Sequence, residues 1–254
     1  MARDTGRKRE ASTRRGRISA ADIAERRAVL DTALAMSRQG LSPGRSGNVS
    51  ARCAGGVLIT PSGVAYEEIA PADIVRVGLD GAVAAGQRKP SSELHFHLAT
   101  YRARPDVGAI VHTHSLHATV LACARRAIPA FHYMVAVAGG DDIPLVPYAT
   151  FGSDELARHV VAGLVHRNAC LMANHGQIAV AATCAEALAL AAEVEVLAEQ
   201  YVKVLTLGSP HILARDEMAR VLERFAAYGQ KAQEWRHVGV EKGTNKHETD
   251  RESR

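Results

Sequence analysis

The 254-residue sequence is poor in aromatic residues, which make up 4% of the chain, and it has no apolar run long enough to cross a membrane. Its four cysteines are widely spaced and form no Cys-x-x-Cys pair. No apolar N-terminal segment has the pattern of a secretion signal. We therefore expect a soluble, cytoplasmic protein without membrane partners. Its thiols should be reduced, although an even number of cysteines leaves a disulfide open.

Positive charge is concentrated at the N-terminus. Residues 1–18 hold seven Lys or Arg and two Asp or Glu, whereas the rest of the chain has 24 basic and 25 acidic residues. A basic tail on a nearly neutral body does not indicate a nucleic-acid-binding domain. We interpret 1–18 as a disordered tail, with a targeting or nucleic-acid arm as the alternative. Residues 19–235 are then one folded domain, and 236–254 a polar C-terminal tail.

Helical segments and short β-branched segments are interspersed without a strict βαβ order. The pattern predicts helices over 19–39, 92–102, 115–126, 153–167, 184–207 and 216–229. It predicts strands within 47–52, 55–60, 73–82, 106–114, 132–140, 143–148 and 169–180. This order favours an α/β (α+β-like) fold with a central mixed, largely antiparallel sheet flanked by helices.

A pair of histidines at the end of a predicted strand suggests a metal site. Alternate strand residues share a face, so His112 and His114 can reach one ion, although a polar strand end is the alternative. His95 and His97 have the same spacing on a predicted helix, where they diverge, and we assign them to structure or surface. Catalytic zinc sites usually take three protein ligands. His175 is the third candidate, or else a core or turn histidine.

Seven motifs, in order within residues 20–230, resemble the class II aldolases of the L-fuculose-1-phosphate aldolase type, in the class II aldolase/adducin-like family. They are SGNVSAR (46–52), TPSG (60–63), KPSSE (89–93), VHTHSLH (111–117), HYMVAVAGG (132–140), PYATFG (147–152) and NHGQIA (174–179). The resemblance implies cleavage of L-fuculose 1-phosphate, or a related 5-deoxy- or methylthio-ribulose 1-phosphate, to dihydroxyacetone phosphate and an aldehyde. It also implies a homotetramer with active sites at subunit interfaces.

The resemblance further implies one zinc ion per subunit, held by His112, His114 and His175, with Glu93 as a displaceable fourth ligand. Other divalent metals also suit such a ligand set. By the same resemblance Glu93 is the acid/base at carbon 3, and Tyr133 is the acid/base for the hydroxyl on carbon 4. A carboxylate at a helix start can alternatively serve the helix dipole, and a strand tyrosine can serve packing.

Three short turns, which we call the phosphate corners, are assigned to the substrate phosphate, also by resemblance. Glycine lets the backbone approach an anion, and serine hydroxyls donate hydrogen bonds to it, although such residues also mark ordinary turns. The corner residues are Gly47, Asn48, Ser62, Gly63, Ser91 and Ser92. Tyr228 matches a position that closes over the substrate. Arg45, next to the first corner, receives no role.

The same scaffold also carries sugar-phosphate 4-epimerases, methylthioribulose-1-phosphate dehydratases and adducin-like interaction modules without activity. The complete set of three histidines and Glu93 argues against a module without activity. In the epimerases the position of Glu93 looks like an aspartate, so a glutamate favours the aldolases. The segments 132–140 and 147–152 look more like the aldolases than the dehydratases.

Overall fold

The computed structural model describes residues 19–235, with side chains as far as residue 226, so the predicted tails at 1–18 and 236–254 lie outside the described residues. The first helix, α1 (Ala20–Arg38), begins where the Ser19 hydroxyl accepts a hydrogen bond from the Asp22 backbone N–H at 3.1 Å. After it the chain passes Gly40, which has a φ of 72°. Glycine suits this left-handed conformation, as the sequence predicts.

One seven-stranded sheet forms the centre of the domain. Its strands are β1 (Asn48–Cys53), β2 (Gly56–Ile59), β3 (Val75–Gly78), β4 (Ala109–Thr113), β5 (Leu145–Val146), β6 (Ala169–Met172) and β7 (Gly176–Ala181). The strand order is β3-β2-β1-β4-β7-β6-β5. Only β5 and β6 pair in parallel, so the sheet is mixed and largely antiparallel, as predicted.

Helices cover both faces of the sheet. The others are α2 (Leu94–Ala103), α3 (Leu116–Cys123), α4 (Asp154–Gly163), α5 (Cys184–Leu207) and α6 (Arg215–Trp235). On one face α1, α3 and α5 enclose the larger apolar core, and on the other α2 and α4 pack together over the smaller one. The predicted α/β class with a single domain is confirmed.

The segment 132–140 is not the predicted strand, and this prediction was wrong. Residues Tyr133–Ala138 form a 3₁₀ helix, which begins where His132 Nδ1 accepts a hydrogen bond from the Met134 N–H at 3.1 Å. It ends at Gly139, with a φ of 85°. The helix packs against α5 and α6, not along a sheet edge, and buries Val135, Ala136 and Ala138. These residues do not alternate in burial as a strand requires.

Two further observations concern membrane-spanning helices and thiols. Within residues 19–235 no helix combines the length and apolar character that crossing a membrane requires. The four cysteines are free, and Cys170 is fully buried. Burial raises the pKa of the Cys170 thiol to about 12, so this cysteine is an unreactive core residue.

Candidate active site

Strand pairing brings distant segments together at one end of the sheet. In the β1–β4 ladder Asn48 lies opposite His112, and in the β4–β7 ladder Thr113 lies opposite Gln177. His114 directly follows β4, and His175 precedes β7 in the turn from β6. The first turn of α2 reaches the same place, because Glu93 is its N-cap residue.

All four predicted ligands converge there. His112 Nε2 lies 3.0 Å from His114 Nε2 and 3.0 Å from Glu93 Oε2. His175 Nε2 lies 2.9 Å from Glu93 Oε1. One ligand atom from each of the four lies within 4.8 Å of every other. Because His112 is 0% exposed and Glu93 is 5% exposed, water does not compete freely for these atoms.

The hydrogen bonding of His112 indicates that a cation belongs in this cluster. Its Nδ1 lies 2.8 Å from the backbone oxygen of Gln177, and since a carbonyl only accepts, Nδ1 carries the proton. In the neutral ring, Nε2 is then a lone pair that faces the carboxylate of Glu93. Two acceptors at this separation repel unless a metal ion or an added proton lies between them. Glu93 Oε1 is also buried without a hydrogen-bond partner among the described residues, although it lies 2.9 Å from His175 Nε2. Three imidazoles and a carboxylate therefore fit a divalent metal.

The electrostatics favour the protonation states that a metal requires. Burial opposes ionisation of Glu93, but the adjacent imidazole groups of His112 and His175 outweigh it and hold the pKa of Glu93 well below its usual range. Burial, with the neighbouring imidazole groups of His112 and His175, lowers the pKa of His114 to about 3. At neutral pH the carboxylate is therefore ionised and the His114 ring is neutral.

A buried chain of hydrogen bonds runs from the core to Glu93. Asn48 Nδ2 donates to Glu93 Oε2 at 2.9 Å, which leaves Asn48 Oδ1 to accept from His97 Nε2 at 2.5 Å. His97 Nδ1 then accepts from the Ser50 hydroxyl at 2.7 Å, and Ser50 accepts from the Tyr101 hydroxyl, with the two oxygens 2.9 Å apart. Because the ionised carboxylate at one end can only accept, the direction of every hydrogen bond in this chain is fixed. Burial lowers the pKa of His97 to about 3, so its ring stays neutral.

No site role for His97 follows from the sequence pattern. The two helical histidines diverge as expected, since His95 is exposed and His97 is fully buried. However, His97 lies four residues after Glu93, and this spacing places both on one side of a helix. Asn48 and Ser50 alternate along a strand and so share a face. Together with the spacing of Glu93 and His97, this alternation is the signal that could have indicated the chain of hydrogen bonds.

The segment that carries His114 is fixed from α5. Glu195 on α5 accepts hydrogen bonds from the backbone N–H groups of His117 and Ala118, at 2.8 and 3.0 Å. A carboxylate at the start of α3 satisfies N–H groups that have no partner inside the helix. The Gln177 side chain donates to the Ser115 hydroxyl at 2.9 Å. These contacts limit the movement of the ligand segment.

A cavity of about 210 Å³ adjoins Glu93 and His114, and all six predicted phosphate residues line it. The second and third corners are tied together, since the Ser62 N–H donates to the Lys89 oxygen at 2.9 Å and the Ser91 N–H donates to the Thr60 oxygen at 3.1 Å. The other lining residues are Arg45, Ser46, Thr60, Pro61, Val64, Tyr66 and Phe151. Hydroxyl groups and backbone therefore dominate the wall.

Tyr133 is not brought to this cavity. Tyr133 is 51% exposed and lines a separate cavity of about 710 Å³, with residues that include Phe131 and Phe225. Tyr228 lies within α6, and its side chain is outside the described part of the chain. Within a single chain, Tyr133 therefore does not line the cavity beside Glu93.

Gly176 allows β7 to approach the ligand segment. A β-carbon at this position would lie 2.3 Å from the Thr113 backbone oxygen and 3.0 Å from His114 Cδ2. We expect Gly176→Ala to lower the free energy of unfolding by about 1–3 kcal/mol and to reduce the metal content, because β4 and His114 must shift. Thermal unfolding and metal analysis measure the two effects.

Gly86→Ala is the matched control for Gly176→Ala. Gly86 has a φ of 84° but open space around its missing β-carbon. Its replacement costs backbone energy without touching a ligand, so the metal content stays that of the wild type. An unchanged metal content in Gly176→Ala would contradict the expected shift of His114.

Comparisons with known proteins agree with this geometry. A family model described as the class II aldolase and adducin N-terminal domain matches residues 27–202. The 5-methylthioribulose-1-phosphate/5-deoxyribulose-1-phosphate aldolase of Rhodospirillum rubrum is 52% identical over 83% of this chain and 95% of its own length. The L-fuculose phosphate aldolase of Escherichia coli K12 is 46% identical over 82% of this chain and 97% of its own.

The fold is also similar to that of a solved L-fuculose 1-phosphate aldolase. The TM-score is 0.78 at 37% identity, with 82% of this chain and 98% of the other covered. These relatives are matched over almost their whole length, so the similarity extends well beyond the ligand motifs.

Proposed function

The chain belongs to the class II aldolase and adducin N-terminal domain family, and we propose that it is a zinc-dependent aldolase that reversibly cleaves a ketose 1-phosphate to dihydroxyacetone phosphate and an aldehyde. The observation that carries the proposal is the convergence of His112, His114, His175 and Glu93 beside a cavity lined by hydroxyl groups and backbone. A group of side chains that could hold a metal ion thus lies next to a cavity wall that suits an anion.

The three histidines would hold the metal, with Glu93 as a displaceable fourth ligand. When bound, zinc supplies the Lewis acidity that polarises the substrate carbonyl. The buried Gln177 carbonyl fixes the tautomer of His112, and Glu195 caps α3 beside His114. These contacts hold the ligands in place before substrate arrives.

Glu93 is proposed to carry the proton at carbon 3. In cleavage the bond between carbons 3 and 4 breaks, its electron pair stays with the ketone half, and carbon 3 takes a proton from the Glu93 carboxyl group, which first takes up that proton from solvent. In condensation the carboxylate removes that proton. The Asn48 amide donates to one carboxylate oxygen and so orients the carboxyl group. We propose that Gly47, Asn48, Ser62, Gly63, Ser91 and Ser92 bind the phosphate.

The hydroxyl on carbon 4 must lose a proton as the aldehyde forms, and we assign this step to Tyr133 of a neighbouring subunit. Because Tyr133 is exposed away from the Glu93 cavity, it can serve that chemistry only from a second copy of the chain. We accordingly propose a homotetramer with active sites at the subunit interfaces, in which Tyr228 closes over the substrate.

Free cysteines and the absence of a membrane-spanning helix in residues 19–235 support a cytoplasmic location.

Mixing two defective variants tests the shared site. Tyr133→Phe and Glu93→Gln should each lose most turnover, yet co-expression should restore activity at about one quarter of the sites, where an intact Glu93 meets an intact Tyr133. Co-expression of Glu93→Gln with His114→Ala is the control, because both changes damage the same half of the site. No recovery in the first mixture would contradict a site shared between subunits.

The aldehyde half is proposed from the relatives. The 52% identity to the Rhodospirillum rubrum enzyme supports a 5-deoxy- or 5-methylthio-ribulose 1-phosphate substrate, and the 46% identity to the Escherichia coli enzyme supports L-fuculose 1-phosphate. These substrates share the dihydroxyacetone phosphate half. They differ at the aldehyde end, where a methylene group changes binding by about 1–3 kcal/mol.

The deciding experiment incubates metal-assayed protein with each of the three ketose 1-phosphates and couples release of dihydroxyacetone phosphate to a reductase. Release that a chelator abolishes and zinc restores is the expected result, and the ratio of rates identifies the preferred aldehyde. Loss of water from methylthioribulose 1-phosphate without release of dihydroxyacetone phosphate would replace the aldolase with a dehydratase.

A further inference from the structure

Arg45 lies at the cavity that adjoins Glu93, although no role follows for it from the sequence. It belongs to the loop between α1 and β1, and its Nη1 donates to the Gly63 backbone oxygen at 3.4 Å. The side chain is otherwise exposed to solvent. The guanidinium thus reaches from the first proposed phosphate corner to the second.

The charge of Arg45 is unusual for this wall. Among the described residues that line the cavity, Arg45 is the one lysine or arginine, and Glu93 contributes a carboxylate. A phosphate monoester carries close to two negative charges at neutral pH. The neutral hydroxyl groups of the wall supply no positive charge to such a dianion. Arg45 supplies it from within the same chain.

The donor geometry of Arg45 also suits a phosphate. Arginine has five N–H donors in a planar fork, and the bond to Gly63 uses one of them. The remaining donors can bind two phosphate oxygens at once. Gly63 has a φ of 75°, a conformation that favours glycine. Because glycine has no side chain, the turn beside the guanidinium leaves open space for an anion.

We propose that Arg45 binds the phosphate of the substrate and sets the preference for phosphorylated over unphosphorylated ketoses. This inference rests on the proposed aldolase function for the identity of the substrate, but not for the binding of phosphate itself. A solely structural Arg45, which only ties two loops, would affect stability and leave phosphate affinity unchanged.

The test uses zinc-loaded protein and compares Arg45→Gln and Arg45→Lys with the wild type. Arg38→Gln is the matched control, because Arg38 is an exposed arginine that does not line the cavity. Steady-state kinetics on 5-deoxyribulose 1-phosphate give KM and kcat. Calorimetric titration with inorganic phosphate gives a Kd that does not depend on turnover.

Loss of a charged hydrogen-bond donor should raise both KM and the phosphate Kd of Arg45→Gln by about tenfold to 100-fold. The change in kcat should be small, because the contact is made equally before and during the reaction. Arg45→Lys keeps the charge but loses the fork, so its values should fall between those of Arg45→Gln and the wild type. Arg38→Gln should match the wild type.

A phosphate Kd of Arg45→Gln equal to that of the wild type overturns the proposal, whether or not the variant is less stable. So does a wild-type protein that binds no phosphate. If the wild type binds phosphate through Arg45 but cleaves none of the three ketose 1-phosphates, the proposed function fails while the assignment of Arg45 stands.

Discussion

Replacing Glu93 with glutamine should leave the metal bound and lower kcat by about 100-fold to 10,000-fold, the range typical of a lost general acid or base. Glutamine has the same shape, and its amide oxygen can still accept the hydrogen bond from Asn48 Nδ2. The three histidines stay in place and suffice as protein ligands for zinc. The variant therefore removes proton transfer while it keeps the fold and the ion.

Metal analysis and steady-state kinetics on the same preparation measure this result. Glu155→Gln is the control, because Glu155 is an exposed carboxylate in the first turn of α4. It should cost only a few tenths of a kcal/mol in stability through the helix dipole and leave kcat unchanged. A Glu93→Gln enzyme with turnover within a few-fold of the wild type would remove Glu93 as the acid/base.

Replacing His114 with alanine should weaken metal binding by more than about 100-fold, because loss of an outer hydrogen-bond partner alone typically costs 10–100-fold. His114 Nε2 lies 3.0 Å from His112 Nε2, so its removal opens one corner of the cluster. The half-buried ring is neutral at neutral pH and would bind the ion without first losing a proton. Activity should be lost with the metal and return only partly in excess zinc.

Dialysis followed by metal analysis measures this loss, with titration against a zinc chelator to give the affinity. His211→Ala is the control, because His211 is exposed and does not belong to the cluster. Stoichiometric zinc in dialysed His114→Ala protein would overturn its assignment as a ligand.

Local patterns predicted most of the elements and the nearness of two ligands. The alternation of a strand is enough to place His112 and His114 together, and the helical period is enough to separate His95 from His97. Where His175 and Glu93 lie depends on which strands pair and in which register. Pairing between distant segments leaves no local trace. The pattern alone therefore offered His175 only as a candidate beside a core or turn role, and Glu93 followed only from the family resemblance.

The error at residues 132–140 has a physical cause of the same kind. The apolar residues there satisfy a strand or a helix equally, and contacts with α5 and α6 decide between them. The sequence predicted the turns of the cavity wall but not which turns lie next to each other. Glycine and serine mark turns, but the hydrogen bonds between loops that bring Ser62 near Ser91 depend on the complete fold.

The hydrogen-bond chain that ends on Glu93 also limits how this enzyme can be redesigned. Tyr101, Ser50, His97 and Asn48 each need the neighbour's donor or acceptor, so single replacements leave a buried polar atom without a partner. Their effects should be far from additive, and viable sequences should change them as a set or keep all four. A library that varies the cavity wall should hold these positions constant and change exposed residues such as Phe151, whose replacement breaks no such chain.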